Sequence, residues 1–280
     1  MAGSKRADPP VVRMIVLETD QPHPDDHDEK GSLGEILHDH FTRAGEDHDP
    51  PLGIETDQIF VVKEKGGRVP KVEEFEGVRG VLITGSMYDA HGDEEWILEL
   101  LDLLRELWTT RPDLHFSGVC FGHQLLARLL GASVESTGEW ELGHSTIHLT
   151  SVGKKLFQTD SDTVHLHQMH QDRVVSPPSH ESAQGLLERD TPVHIWGHSD
   201  HTKVQGLYIP NRVFSTQAHM AFDQKMVKRE IEMRIESGSI KGKDEEERRK
   251  AVETSHLEHD GVVVAAAILR FFHFEDDGIE

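Results

Sequence analysis

The segment Ser117-Gly118-Val119-Cys120-Phe121-Gly122-His123-Gln124 constrains this chain more than any other. It holds the only cysteine, Cys120, between two glycines in the frame Gly-x-Cys-x-Gly. A predicted strand over 113–119 runs into it, and Leu125, Leu126, Leu129 and Leu130 continue with helical spacing. Strand, sharp turn and helix in that order form the context of a nucleophile elbow. Such a turn puts the nucleophile in a strained backbone conformation, so its neighbours must be small. The helix that follows points its positive end at the sulfur and favours thiolate. The competing reading is a buried core cysteine, a small apolar residue with no chemistry.

The elements on either side extend the pattern. Val11 to Leu17 is a near-continuous apolar run, as expected of a strand buried on both faces. Gln21 to Lys30, polar with two prolines, reads as a surface loop. Ser32 and Glu35 form a capping-box pair at the head of a helix carrying Ile36, Leu37 and Phe41. Strands follow at Gln58–Val62 and Val78–Thr84, and a helix over 93–108. Beyond Gly131-Ala132 a new strand starts at Ser133-Val134. After Gly143 the pattern turns β-like, with short strands at 145–149, 163–167, 193–196, 204–207 and 213–216. A charged helix over 223–236 and two further helical stretches between Lys243 and Phe272 complete the chain. The run from Asp244 to Lys250 reads as a solvated helix face. The alternation predicts an α/β fold, a mainly parallel twisted sheet with helices on both faces and a small antiparallel β addition. The expected organisation is a tail over 1–10, then one domain over 11–280 with a C-terminal helical extension. In such sheets a site forms at the carboxyl ends of the strands, so the loops after Thr84 and Val119 should face each other.

Composition narrows the function. A formal net charge of −22 argues against nucleic acid and anionic membrane surfaces as partners. The longest apolar run, Val262 to Leu269, is too short to span a bilayer. One cysteine allows no internal disulfide and suits a reducing compartment. Met1 to Pro10 is polar, without the apolar core of a secretory signal, so a cytoplasmic setting is expected. The 21 histidines are scattered. Only His165, His167 and His170 cluster, and no second group has ligand spacing, so no metal and no cofactor are expected.

A cysteine nucleophile needs a base and usually an acid that orients the base. His219 follows the predicted strand at 213–216 and is the candidate base; on position alone it reads equally as a loop histidine on the surface.

The string Gly118 to Gln124 resembles the elbow of class I glutamine amidotransferases of the Cys-His-Glu type, which share a flavodoxin-like fold. Companion segments fit in order from about Val11 to Phe222. Ile83-Thr84-Gly85-Ser86 is similar to the segment that supplies an oxyanion-hole amide. Gly143 to Thr150 is similar to the strand after the elbow helix. His167 to Val174 resembles the His-x-Asp segment beside the bound glutamine. Ser215 to Phe222 stands where the family has Gln-Gly-His-Pro-Glu-Phe. Stand-alone fungal amidotransferase-like proteins and plant γ-glutamyl peptidases look most similar. The resemblance implies that Cys120 attacks a γ-glutamyl carbonyl and His219 moves the proton. The amides of Phe121 and Gly85 (or Ser86) would hold the oxyanion, and such a donor is commonly worth about 3–4 kcal/mol. Gln124 would bind a small γ-glutamyl substrate, and His170, Gln171 and Asp172 would line its pocket. Cysteine peptidases and chaperone-like relatives share the elbow and fold; Gly-x-Cys-x-Gly-His-Gln with the late histidine favours amidotransferases.

The sequence departs from the family where the acid belongs. That position is Ala221, preceded by Met220 in place of proline, and the glycine before the histidine is Ala218. Three arrangements remain open. Asp223, two residues on, reaches the imidazole; the site works as a Cys–His dyad; or the protein is a weakened or inactive relative that binds a ligand or regulates a partner. A subunit that passes ammonia to an unidentified partner protein is a further alternative.

Overall fold

The computed structural model describes residues 9–276, 278 and 279, so most of the expected tail lies outside the described residues. The elements are β1 (Val11–Glu18), α1 (Pro24–Lys30), α2 (Leu33–Glu46), β2 (Gly53–Phe60), β3 (Gly80–Ile83), α3 (Glu95–Thr110), β4 (His115–Val119), α4 (Phe121–Leu129), β5 (Val134–Leu149), α5 (Ser151–Phe157), β6 (Thr163–Val174), β7 (His194–His198), β8 (Gly206–Ile209), β9 (Val213–Thr216), α6 (Gln224–Glu236), α7 (Glu245–Thr254) and α8 (Gly261–Phe272). The strands form one nine-stranded sheet in the order β2-β1-β3-β4-β9-β8-β7-β5-β6. From β2 to β9 the pairing is parallel. From β9 outward it is antiparallel. The fold is therefore α/β, parallel where the elbow sits, and its antiparallel part is larger than the small addition expected.

Both faces of the sheet are covered. On one, Trp96, Ile97, Leu100, Leu104 and Leu107 of α3 pack with Phe121 and Leu125 of α4 over Val81, Ile83 and Phe116. On the other, Leu37 and Phe41 of α2 meet Ile268, Phe271 and Phe272 of α8 over Met14, Val16 and Leu82. A third, smaller cluster joins Ile36 with Leu142 and Met169 of the β5–β6 pair and with Phe222, Met226, Val227 and Ile231 around α6. It lies next to the carboxyl ends of the parallel strands and closes that end against the sheet.

Three expectations need correction. The stretch from Gln21 to Lys30 contains α1: Pro24 stands at its start, where no backbone donor is needed, and the His23 side chain accepts from Asp25 N at 3.2 Å. The strand expected over 58–62 is β2, eight residues from Gly53 in register with Val11 to Glu18. As an edge strand it alternates with Glu55 and Asp57, which hides it from an apolar-run search. The two strands expected around Gly143 are one, β5, whose register against β6 shifts between Ser136 and Glu141. Gly138 and Gly143, at φ 69° and 74°, accommodate the distortion without ending the strand. The capping box at Ser32 and Glu35 is formed. Among the described residues no helix is long and apolar enough to cross a membrane.

The core contains histidines held neutral. Burial pushes His40, His115 and His167 down to about 4 and His123 to about 3. Their pKa in the unfolded chain is near 6.5, so the unfolded state binds the extra protons as the pH falls. Each should remove up to about 1.4 kcal/mol per pH unit between about pH 6.5 and the folded pKa. Urea midpoints measured from pH 7.5 to 5 should therefore fall steadily; a flat profile would contradict the assignment.

Candidate active site

The elbow is built as its spacing requires. Cys120 has φ 51° and ψ −102°, a conformation that L-residues rarely adopt and that costs on the order of 1–3 kcal/mol. Three backbone hydrogen bonds hold the turn: Cys120 N to Thr216 O at 2.9 Å, Gly122 N to Thr84 O at 3.2 Å and Gln124 N to Cys120 O at 3.0 Å. The two flanking glycines are needed for space. A Cβ on Gly118 would meet Gly122 C at 2.3 Å, and one on Gly122 would meet Ile83 O at 2.3 Å. His123, the next polar residue, is structural: its Nδ1 lies 2.8 Å from Ser215 Oγ, which ties α4 to β9.

Parallel strand ends bring the other groups in. Gly85 and Ser86 follow β3, Cys120 follows β4, and Gln217 to His219 follow β9. Gly85 lies between Cys120 and His219: a Cβ there would stand 3.0 Å from His219 Cε1 and 3.6 Å from Cys120 Cβ. The Phe121 amide begins α4 directly after Cys120 and helps lower the pKa of its thiol. Ser86 Oγ is engaged elsewhere, donating to Thr19 O at 2.8 Å.

His219 is placed by its backbone, whose N–H donates to His167 O at 2.9 Å, and by its ring, stacked on Phe222 with centroids 4.0 Å apart. Its Nε2 is buried without a hydrogen-bond partner. Asp223 does not supply one. Its Oδ1 accepts from Lys225 N and Met226 N, each at 3.0 Å, and its Oδ2 from Lys30 Nζ at 2.6 Å. A carboxylate that caps the first turn of α6 cannot also turn back to the imidazole, so the expectation for Asp223 is corrected. Among the described residues no ion pair joins His219 to a carboxylate. The groups that face it are cationic or can become so: Arg234 of α6, then His170 and His167. Burial and these neighbours hold the imidazole well below its ordinary pKa.

The thiol is shifted the opposite way. Burial pushes Cys120 up to about 11, against the pull of Arg234, the Phe121 amide and the Gln217 side chain. The resting site is thus a neutral thiol beside a neutral imidazole.

Gln124, His170, Gln171 and Asp172 all line a polar cleft of about 100 Å³ that includes Cys120. Gln124 Nε2 donates to Asp172 O at 2.8 Å and to Gln217 Oε1 at 3.0 Å, so it braces the cleft wall. His170 Nδ1 is 2.9 Å from Asp172 O, and its Nε2 is 3.1 Å from the buried Glu141 carboxylate. Burial raises the pKa of Asp172, which has Asp89 beside it and His91 Nδ1 at 3.4 Å. A second, mostly apolar cavity of about 50 Å³ lies on the other side of the site, where Ala221 meets His219 and Phe222. Arg234 lines both cavities. Among the described residues no group of three histidine, cysteine or acidic side chains is placed to hold a metal ion.

Residues 68–233, more than half of the chain, match the family Glutamine amidotransferase class-I. The chain belongs to that family. It is 32% identical over 200 residues to a Saccharomyces cerevisiae protein named 'Putative glutamine amidotransferase', covering 69% of this chain and 71% of that one. It is 24% identical over 218 residues to a Schizosaccharomyces pombe protein named 'Putative glutamine amidotransferase-like protein' (76% and 80% covered). Gamma-glutamyl peptidase 2 of Arabidopsis thaliana is 27% identical over 179 residues (63% and 66% covered). The crystal structure of a glutamine amidotransferase from Thermotoga maritima has the same fold, with a TM-score of 0.64 over 93% of this chain and 98% of that chain at 20% identity.

Gln217, Glu141, Asp89 and Arg234 escaped the sequence reading. Gln217 stands two residues before His219 and could have been found from that spacing. Glu230 and Arg234 look like any solvated pair on a charged helix; no local signal shows that they are buried.

The neutral resting pair has a direct readout. Alkylation of Cys120 by iodoacetamide should be slow at pH 7.5 and should rise about tenfold per pH unit up to about pH 11. A rate that levels off near pH 7 would show a preformed thiolate.

Proposed function

We propose that this protein hydrolyses a γ-glutamyl amide or peptide bond through a thioester on Cys120. The observation that carries the reading is the elbow itself: Cys120 at φ 51° at the head of α4, flanking Gly85 together with His219. Family membership and the γ-glutamyl peptidases among the relatives support the substrate class.

The steps balance within these residues. The Cys120 proton passes to His219 as sulfur attacks the γ-carbonyl carbon. The carbonyl electrons move to oxygen, held by the amides of Phe121 and of Gly85 or Ser86. They return as the carbon–nitrogen bond breaks, and His219 gives its proton to the departing nitrogen. Water then loses a proton to His219 while its oxygen bonds to the acyl carbon. The carbon–sulfur bond breaks, glutamate leaves and the thiolate regains the proton. No carboxylate supports the His219 ring among the described residues, and loss of a triad acid costs about 10⁴ in kcat in the serine-protease case, so slow turnover is expected.

A second reading, a ligand-binding relative with little turnover, is favoured by that same orphaned nitrogen. The two separate on glutamate release from glutamine and γ-glutamyl dipeptides. Hydrolysis above the level of a Cys120→Ala variant is expected; none would leave the binding reading. Ala221→Glu, whose carboxylate would enter the cavity beside His219, should raise kcat at least about tenfold. An unchanged kcat would mean that the site does not depend on an acid at that position.

A further inference from the structure

The two cavities beside Cys120 and His219 differ in chemistry, and the difference bears on what the enzyme releases. The cleft on the β5–β6 side presents Gln124, His170, Asp172 and Asp89. Carboxylates there suit the α-ammonium of a γ-glutamyl group. The cavity on the other side is walled mostly by apolar residues, among them Leu33, Ile36, Leu37 and Phe222, with Asp20 and Glu230 also on its lining. Ammonia, the leaving group of glutamine, needs no such space, and an apolar recess at a polar strand end buries nothing unless a ligand fills it.

Arg234 stands where the two cavities meet. It is the only lysine or arginine lining either of them among the described residues. It is 6% exposed, and its Nη1 donates to Glu230 Oε2 at 2.5 Å and to Glu230 O at 3.1 Å, which leaves further guanidinium donors free to turn to a ligand. Position decides which carboxylate it can meet. In a γ-glutamyl dipeptide the leaving residue's carboxylate sits one carbon from the scissile nitrogen, at the boundary between the two subsites. A glutamyl group in the polar cleft would carry its α-carboxylate at the far end of its side chain, away from the scissile bond, whereas Arg234 lines the apolar cavity as well as the cleft.

We propose that the leaving group is an α-amino acid with an apolar side chain, which fills the cavity beside His219 while Arg234 binds its carboxylate. The inference rests on the γ-glutamyl reading of the site and narrows it from amides in general to γ-glutamyl dipeptides. It requires no step beyond the hydrolysis already written; the nitrogen that receives the His219 proton belongs to the released amino acid.

The test is binding, read without turnover on the full-length Cys120→Ala protein. By isothermal titration, γ-glutamyl-leucine should bind about tenfold or more tightly than γ-glutamyl-glycine, γ-glutamyl-leucine amide or glutamine. Equal dissociation constants across the four would overturn the proposal. Arg234→Gln should erase the difference between the leucine acid and its amide, and Arg234→Lys should keep part of it; a difference that survives in Arg234→Gln would also overturn it. If loss of the Glu230 partner prevents folding of those variants, the four-ligand series still decides. The selectivity without hydrolysis by the wild-type protein would support this subsite while removing the hydrolytic reading.

Discussion

The site depends on one backbone turn. At Cys120 the chain leaves β4 with a positive φ and enters α4 at once, so the side chain stands at the carboxyl end of the strand beside the helix start. Such a turn is unfavourable by itself and persists because its surroundings fix it. Here β9 holds it through Thr216 O, β3 holds it through Thr84 O, and α4 closes it through Gln124 N. The helix packs so close to β3 that only glycine fits at 122. The same parallel strands carry Gly85 and His219 to the same edge. Fixing the elbow therefore fixes the other groups, and the hydrophobic layers under α3, α4, α2 and α8 give the frame its rigidity.

What surrounds His219 differs from a completed triad in sign as well as in content. Where a carboxylate would favour the imidazolium, the imidazole has an unpaired Nε2 and cationic or titratable neighbours. With burial pushing the thiol up to about 11 and holding the imidazole well below its ordinary value, moving the proton between them in the empty site is uphill. The elbow keeps its strained form all the same, and strain without use is easily relaxed by substitution.

Most of this frame was legible in the chain. The apolar run at Val11 to Leu17, the elbow string and the alternation of strands and helices define the parallel half, because buried parallel strands and their helices write strong periodic signals. The gap at Ala221 was equally visible. The illegible parts share a cause: they depend on which face a polar residue turns to. Asp223 looked free to help His219 until the start of α6 and Lys30 took both its oxygens. Glu230 and Arg234 looked solvated until the β5–β6 pair and α7 closed over α6. β2 was misplaced because an edge strand alternates with charge, and α1 was missed because Pro22 before it and Pro24 at its start read as loop.

Arg234 is the group whose role needs the most argument. As an activator of the dyad it is poorly suited. Its charge favours the Cys120 thiolate, yet it disfavours the His219 imidazolium that must form with it. The two effects oppose each other in a proton transfer between neighbouring groups, so little net gain remains. Burying a guanidinium with only one carboxylate partner also costs free energy that packing alone does not return. A cation that hardly assists the proton transfer, held by Glu230 at the junction of a polar and an apolar cavity, is better accounted for by a ligand. A substrate carboxylate there would neutralise the charge facing His219 as it binds. The imidazole would then become a stronger base and the thiol a weaker acid, so the carboxylate's contribution lies in binding and placing the substrate rather than in the proton transfer.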